Sequence, residues 1–395
     1  MEKIFNELSE LLFAELKKNE EAIISFSGEN SQFIRFNNAS VRQTGIVDDA
    51  EIELKLISEN KISGGGFTVS GNKEIDLKRG INEIKRMRKD NKEIPEDPFL
   101  VKPANLGSSR EVKKTKGLEF GNAVDAILPI MSGVDFVGIL ANGKMYRGNA
   151  NSLGQKHWFE TDNHSLDYSL VTSNHQMVKG LYSSGDWDQN AYENYVNRSK
   201  KKLTIMERKP IKVDTGDYRT WFESAAVSDF LGMFSWNGIS EASLRQGCSG
   251  FGKMRHSDSR LSRKFSILED FSPGFCPKFN SDGEIASPSL ALIDKGELKN
   301  TLVSSRSAKE YGLSSNFAES SEYLRSPKML PGKLNQDDII KTLGKGLFLS
   351  NIHYLNWSDN PGGRITGLTR YACFWVEGCL LYTSDAADDS LRVDL

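Results

Sequence analysis

The chain has no stretch approaching the roughly 18 consecutive apolar residues that would cross a bilayer as a helix. Its opening, MEKIFNELSELLFAELKKNEEA, scatters charges among the apolar positions and so lacks the core of a signal peptide. The four cysteines (Cys248, Cys276, Cys373, Cys379) show no C-x-x-C spacing, which argues against a disulfide framework and against a cysteine-only zinc site. No two of the five histidines stand three to five residues apart, so no helix can present an imidazole pair to one metal ion. The formal net charge is only -2, which leaves no whole-chain footprint for nucleic acid or anionic lipid. These lacks lead to an expected cytoplasmic protein that engages neither nucleic acid nor membrane.

What is present fits a globular chain, with 38% hydrophobic and 26% charged residues. A length of 395 residues suggests two or three domains. The patterns predict an α+β protein: an N-terminal helix-sheet-helix unit (1–105), a middle α/β unit (106–208) and a β-rich C-terminal domain (209–378). Ile4, Phe5, Leu8, Leu11, Leu12 and Leu16 recur at helical spacing, as do Leu77, Ile81, Ile84 and Met87. AIISFSG, SQFIRFNNASVRQTG and EIELKLIS read as an antiparallel meander. Gly64-Gly65-Gly66 reads as a turn or bulge, and Asn142-Gly143 as a tight hairpin turn. The basic stretch from Arg198 to Lys212 reads as a solvated connector. Ala225, Ala226, Phe230, Leu231 and Phe234 predict a helix, Lys295-Gly296 a hairpin, and the last third two long strands joined by NPGG.

Chemistry is sparse. Residues 247–253 match G-x-x-x-x-G-K, yet Met254 replaces the hydroxyl that would hold magnesium and no apolar strand precedes the loop. His157, His164 and His175 could converge with Asp162 or Asp167, although surface placement is the better expectation. His353 and Asp359 share a strand face but lie some 20 Å apart by strand rise. Cys373, between Ala372 and Phe374, reads as a small core residue.

Three stretches, QFIRFNNASVRQTG, SRSAKEYGLSSN and above all LFLSNIHYLNWSDNPGGRITGLTRYACFWVEG, resemble the TldD/PmbA family of metallopeptidases and DNA-gyrase modulators. The resemblance runs along nearly all of residues 1–378. It implies a cytoplasmic chain of mixed α and β structure that dimerises around a cavity admitting unfolded peptide. Active members carry His-Glu-x-x-x-His on a helix of the third unit, two zinc-binding histidines and a general-base glutamate. The matching stretch here, WFESAAVSDF, puts Phe222 and Val227 at the histidine positions and keeps Glu223. The resemblance therefore points to the TldE (PmbA) type, with no metal site and no assured catalytic residue. Zinc is expected in a TldD-like partner, in a heterodimer or, alternatively, a homodimer. Glu223 reads as a solvated or helix-capping carboxylate. Tyr354, Asn356, Arg364, Thr366, Thr369 and Arg370 are the candidates for lining a peptide cavity, with cross-strand pairing as the plain alternative. Two other functions stay open: a peptidase with a different site, and a stand-alone peptide-binding protein.

The composition changes after Gly378. CLLYTSDAAD back-translates to a transposase sequencing adapter, so residues 379–395 are expected to be a non-native tail, loose or poorly placed. On this reading the C-terminal domain is incomplete, Cys379 is no ligand, and RYACFWVEG ends on an unpaired edge.

Overall fold

The computed structural model describes residues 1–378, 380–383 and 390–394. Helix α1 (Glu2–Ala14) forms where the apolar spacing predicts it and turns Phe5, Leu8 and Leu12 inward. Each such side chain contributes about 1.5–3 kcal/mol by leaving water. Strands β1 (Glu21–Asn37), β2 (Ser40–Ser58) and β3 (Lys61–Thr68) follow as an antiparallel meander. Helix α2 (Lys73–Glu93) starts at Asn72, whose side chain accepts from the amides of Glu74 and Ile75. Gly64-Gly65-Gly66 is not a turn: it lies inside β3, paired with Lys55, Leu54 and Glu53. Glycine is needed there because α2 packs on the strand. Arg86 of α2 donates to the Gly64 carbonyl at 2.9 Å, and a Cβ on Gly65 would collide with Glu83 and Arg86.

Next come β4 (Ser109–Lys113), α3 (Ala123–Ile127), β5 (Asp135–Asn151), β6 (Lys156–Val171), β7 (Met177–Ser184) and α4 (Gln189–Met206). All these strands join one sheet of order β3-β2-β1-β5-β6-β4, with β7 also on β6. The N-terminal and middle units thus share a sheet across the β1–β5 seam, from Ile23↔Asn151 to Phe36↔Gly138. Asn142-Gly143 is mid-strand rather than a hairpin turn. Buried Asn142 donates to the Leu118 carbonyl at 2.6 Å, and Gly143 (φ 150°) lies against the backbone of Asn30 and Ser31, where no side chain fits. The basic run likewise differs from expectation, since Arg198 and Lys200 to Lys202 belong to α4.

The long strands pass through two cores. One sits under α1 and α2, on Ile24, Phe26, Ile52 and Leu54. The other gathers Ile34, Phe36, Phe136, Leu166 and Tyr168 with Tyr192 and Val196 of α4, and is closed by Phe348, Phe374 and Val376 from the C-terminal third.

That third contains β8 (Thr220–Phe222), α5 (Ser224–Ser235), α6 (Glu241–Arg245), α7 (Gly252–His256), β9 (Ile267–Asp270), β10 (Ser289–Asp294), β11 (Glu297–Leu298), α8 (Ser305–Tyr311) and β12 (Pro327–Met329). It continues with α9 (Ile339–Leu343), β13 (Lys345–Leu349), β14 (Asn351–Asp359), β15 (Arg364–Arg370), β16 (Phe374–Glu377), β17 (Leu380–Thr383) and β18 (Ser390–Asp394). Three small sheets result, β11-β10-β9-β12, β17-β16-β13-β8 and β14-β15-β18. Lys295 (φ 47°) and Gly296 (φ 81°) make the expected hairpin turn. The two predicted long strands each break, at Ser350 and after Arg370, so their halves serve two different sheets.

The edge expected to be bare after Gly378 is covered. Leu380–Thr383 pairs with β16, the Thr383 hydroxyl donates to the Ile205 carbonyl at 2.9 Å, and Ile211 donates to the Thr383 carbonyl. Strand β18 pairs with β15. These pairings satisfy backbone groups that an edge would leave open. Cys379 lies outside the described residues.

Candidate functional site

Strand β8 runs parallel to β13, and its last link is the Glu223 amide donating to the Leu349 carbonyl at 2.9 Å. The chain then turns into α5 with Glu223 at the N-cap position, yet the carboxylate does not cap the helix. It turns instead to Lys202 of α4, whose Nζ lies 2.5 and 2.6 Å from the two oxygens. The pair is three-quarters buried, with side chains 22% and 24% exposed. Glu223 is therefore not a cap, and its carboxylate is ion-paired and only partly solvated. Phe222 packs edge-on against Phe230 at 5.0 Å, and Val227 begins the hydrogen-bonded turns of α5.

Glu223 and Lys202 line a cavity of about 290 Å³ between β7, α4 and α5, closed by Ser350 and Asn351. Lys179 and Asp167 form a second ion pair on its wall. The Tyr195 hydroxyl accepts from the Leu181 amide of β7. Asp229 reaches in from α5 and accepts from the Ile352 amide at 3.3 Å. Burial pushes its carboxyl above the ordinary range, and the amide hydrogen bond and nearby His353 only partly offset this. Behind this wall Cys373 is buried, as expected, and burial pushes its thiol up. Lys202 and Asp229 were missed in the sequence. The available signal was Ser224 and Ser228, a polar stripe at helical spacing on an otherwise apolar helix.

A zinc ion fits the Phe222–Val227 segment poorly. Phe222 and Val227 offer only carbon, and Glu223 already faces an ammonium that would repel a dication. Among the described residues no group of three or more His, Cys, Asp or Glu is arranged to hold a metal.

The expected surface histidines are corrected in two cases. His157 is fully buried, with Nδ1 bonded to the Ser109 hydroxyl and Nε2 to the Gly283 carbonyl, both at 2.9 Å. A carbonyl can only accept, so Nε2 carries the proton. Lys55, Asn149 and Gln155 bind the same loop through Asp282, Ser281 and Gly283. This latch fixes the C-terminal third on the sheet beside a second cavity of about 540 Å³, lined by Arg147, Cys276, Glu319 and Arg325 among others. His164 is buried between Tyr182 and Trp187, at ring distances of 5.7 and 5.0 Å. Burial lowers the pKa of both imidazoles. His175 stays exposed in the turn after β6, so the three do not converge.

The six hairpin candidates share β14 and β15. Asn356 pairs with Thr366, Asn351 with Arg370 and Asp359 with Arg364, while Thr369 pairs with Ile352 and is buried. Tyr354 occupies a bulge at φ 51°, 75% exposed, with its ring edge-on to His353. None of the six lines either cavity. Asp359 accepts from the Gly362 amide in the hairpin turn, away from any triad role. The glycine loop 247–253 docks on this hairpin: Lys253 donates to the Gly362 carbonyl and Asn360 to that of Cys248.

Residues 215–381 match the family model described as the PmbA/TldA metallopeptidase C-terminal domain. Over the whole chain, the fold is similar to that of several solved structures to which the sequence is only distantly similar. One is a candidate DNA-gyrase modulator from Thermotoga maritima, 16% identical, with a TM-score of 0.76 over 99% of this chain and 92% of that one. Another is TldE from Thermococcus kodakarensis, 15% identical, TM-score 0.75, over 99% and 91%. A third, a candidate DNA-gyrase modulator from Bacteroides thetaiotaomicron, is 13% identical, with a TM-score of 0.76 over 100% and 90%. No curated protein matches the chain. The link to the TldD/TldE/PmbA proteins thus holds at the level of fold. Among the described residues no helix is long and apolar enough to cross a membrane.

Proposed function

We propose that this chain is a TldE/PmbA-like subunit of a two-chain peptidase, supplying interface and peptide-binding cavity while a TldD-type partner supplies zinc. The observation that carries this reading is the Lys202–Glu223 pair beside Phe222 and Val227. Where the resemblance expects two imidazoles and a free carboxylate, this chain has two apolar side chains and a carboxylate held in an ion pair with Lys202. Without a bound metal, no water there is acidified for attack on a peptide bond. The exposed hairpin bearing Tyr354, Asn356, Arg364, Thr366 and Arg370 then serves peptide or partner recognition.

The test is co-purification from the native host followed by metal analysis. The chain should carry no stoichiometric zinc alone and should bring down a second chain bearing His-Glu-x-x-x-His, with peptide cleavage only in the mixture. Stoichiometric zinc in the isolated chain that disappears with His353→Ala or Cys373→Ser would overturn the reading.

A further inference from the structure

The second cavity, of about 540 Å³, falls within the range of about 300–1,000 Å³ usual for small-molecule sites. Its floor follows from strand alternation. Ile24 and Phe26 of β1 turn into the core under α1 and α2, so Ser25 and Ser27 face the other way, and Ser27 pairs with Arg147 of β5. Two small serines leave room there beneath the C-terminal third, whose 276–281 loop and 319–325 segment form the roof.

Arg147 and Arg325 bring two half-buried cations to this space. Among the described residues Arg147 donates only to the Tyr146 carbonyl, at 2.8 Å, and Arg325 only to the carbonyls of Phe279 and Lys278, at 2.9 and 3.4 Å. Both guanidiniums therefore keep N–H groups unspent, and the buried Nε of Arg325 has no partner among those residues. The acids nearby do not pair with them. Glu269 accepts from the backbone amides of Arg325 and Ser326 at 2.8 and 2.9 Å, and Glu319 from the amide and hydroxyl of Ser281. Seated over the Phe271 ring at 4.8 Å, the Arg325 guanidinium is held in place before any ligand arrives. The fields of both arginines reach the Cys276 thiol, which burial nonetheless pushes above its ordinary range. A neutral thiol leaves the two charges uncompensated.

We propose that this cavity binds a small carboxylate with an apolar body, the carboxylate held by Arg147 and Arg325 and the body laid on Phe279, Tyr323 and Leu324. A planar guanidinium matches a carboxylate in shape as well as charge. Glu53 and Glu319 also line the cavity and disfavour a dianion such as phosphate, so a monoanion fits best. The same chemistry is offered by a free organic acid and by the C-terminus of a peptide ending in an apolar residue. This cavity shares no lining residue with the one beside Glu223, and the inference stands whether or not the peptidase reading does.

Titration calorimetry of the full chain tests it with 3-phenylpropionate, N-acetylphenylalanine, the two corresponding amides and inorganic phosphate. The acids should bind roughly tenfold or more tightly than their amides, and Arg147→Gln should remove that preference. Arg147 bonds only to the carbonyl of its neighbour, so this variant should fold, whereas Arg325→Gln also frees the Phe279 loop. Exposed Arg263→Gln, which removes one positive charge elsewhere, should change nothing. Bound acid should also slow the labelling of Cys276 by N-ethylmaleimide at alkaline pH, read by peptide mass mapping. Binding of N-acetylphenylalanine alone would support the proposal with a peptide C-terminus as the source, and binding of both acids would support it with a free organic acid. Amides or phosphate binding as tightly as the acids, no binding of either acid, or acid binding indifferent to Arg147→Gln would overturn it.

Discussion

The two cores that share the long sheet are built on different plans. Under α1 and α2, nearly every member comes from the first ninety residues, with Ala150 and Trp158 added from the neighbouring strands. Beneath α3 and α4, the core is open until Ile339, Leu343, Phe348, Phe374 and Val376 arrive from the far end of the chain. One half of the sheet is thus closed locally, and the other by a segment some two hundred residues away. Sequence distance makes the second core costlier to assemble, since loop closure precedes the reward of contact. The cavity beside Glu223 stands at that second, long-range closure.

The sharpest way to break this contrast is to hollow out each core. Phe5→Ala and Phe374→Ala remove fully buried rings and should each cost about 3–5 kcal/mol in urea unfolding. Because β1 runs through both cores, both variants should shift one cooperative transition. Two separate transitions in Phe5→Ala would show that the near core folds alone. Slower refolding in Phe374→Ala but not in Phe5→Ala would place the long-range contacts in the transition state.

Legibility in the sequence follows the same divide. The amphipathic helices α1 and α2 and the meander beside them were readable because their partners lie nearby and the 3.6 and 2.0 periods are unbroken. The errors came where a residue's meaning depends on a distant neighbour. Asn142-Gly143 looks like a turn until Leu118 and β1 surround it. His157 looks like a surface group until the Gly283 loop covers it. At the candidate site, Phe222, Glu223 and Val227 were visible through resemblance, but Lys202, which neutralises Glu223, lies 21 residues away on another helix. The bare edge expected after Gly378 was misjudged for a related reason, because the short strands that follow pair with β16 and β15.

Acid should have a smaller effect, acting where distant segments bury histidines. His164, against Tyr182 and Trp187 beside the second core, and His157, under the distant Gly283 loop, are both buried, and burial holds their folded pKa values below the ordinary one. As pH falls through about 6.5, the unfolded chain takes up protons that the folded chain resists. The stability these imidazoles leave intact above that pH is then lost progressively toward their lower folded values. Asp186 opposes the shift at His164 but does not cancel it. The urea midpoint should drop between pH 7.5 and 5.5. His164→Phe, which keeps a flat ring between Tyr182 and Trp187, should reduce that drop. A midpoint independent of pH in the unaltered chain would contradict the burial argument.

The smallest expected effect lies at the pair joining α4 to α5. Lys202→Met keeps a side chain of similar length and removes the ammonium, which lies 5.6 Å from the Phe348 ring centre, leaving Glu223 partly buried without its cation. The pair is partly solvated, so the loss should be only about 0.5–1 kcal/mol. Glu223→Gln should cost a similar amount, and the double variant less than the sum, because neither half then strands a charge. A coupling near zero would mean that the pair does not tie the two helices together, and the C-terminal third would then rest on its other contacts with the sheet, the Gly283 latch and the Phe348 and Phe374 packing among them. A coupling well above 1 kcal/mol would mean that the cavity wall is drier than its exposure indicates, which would make a free Glu223 carboxylate still less available to act as a base.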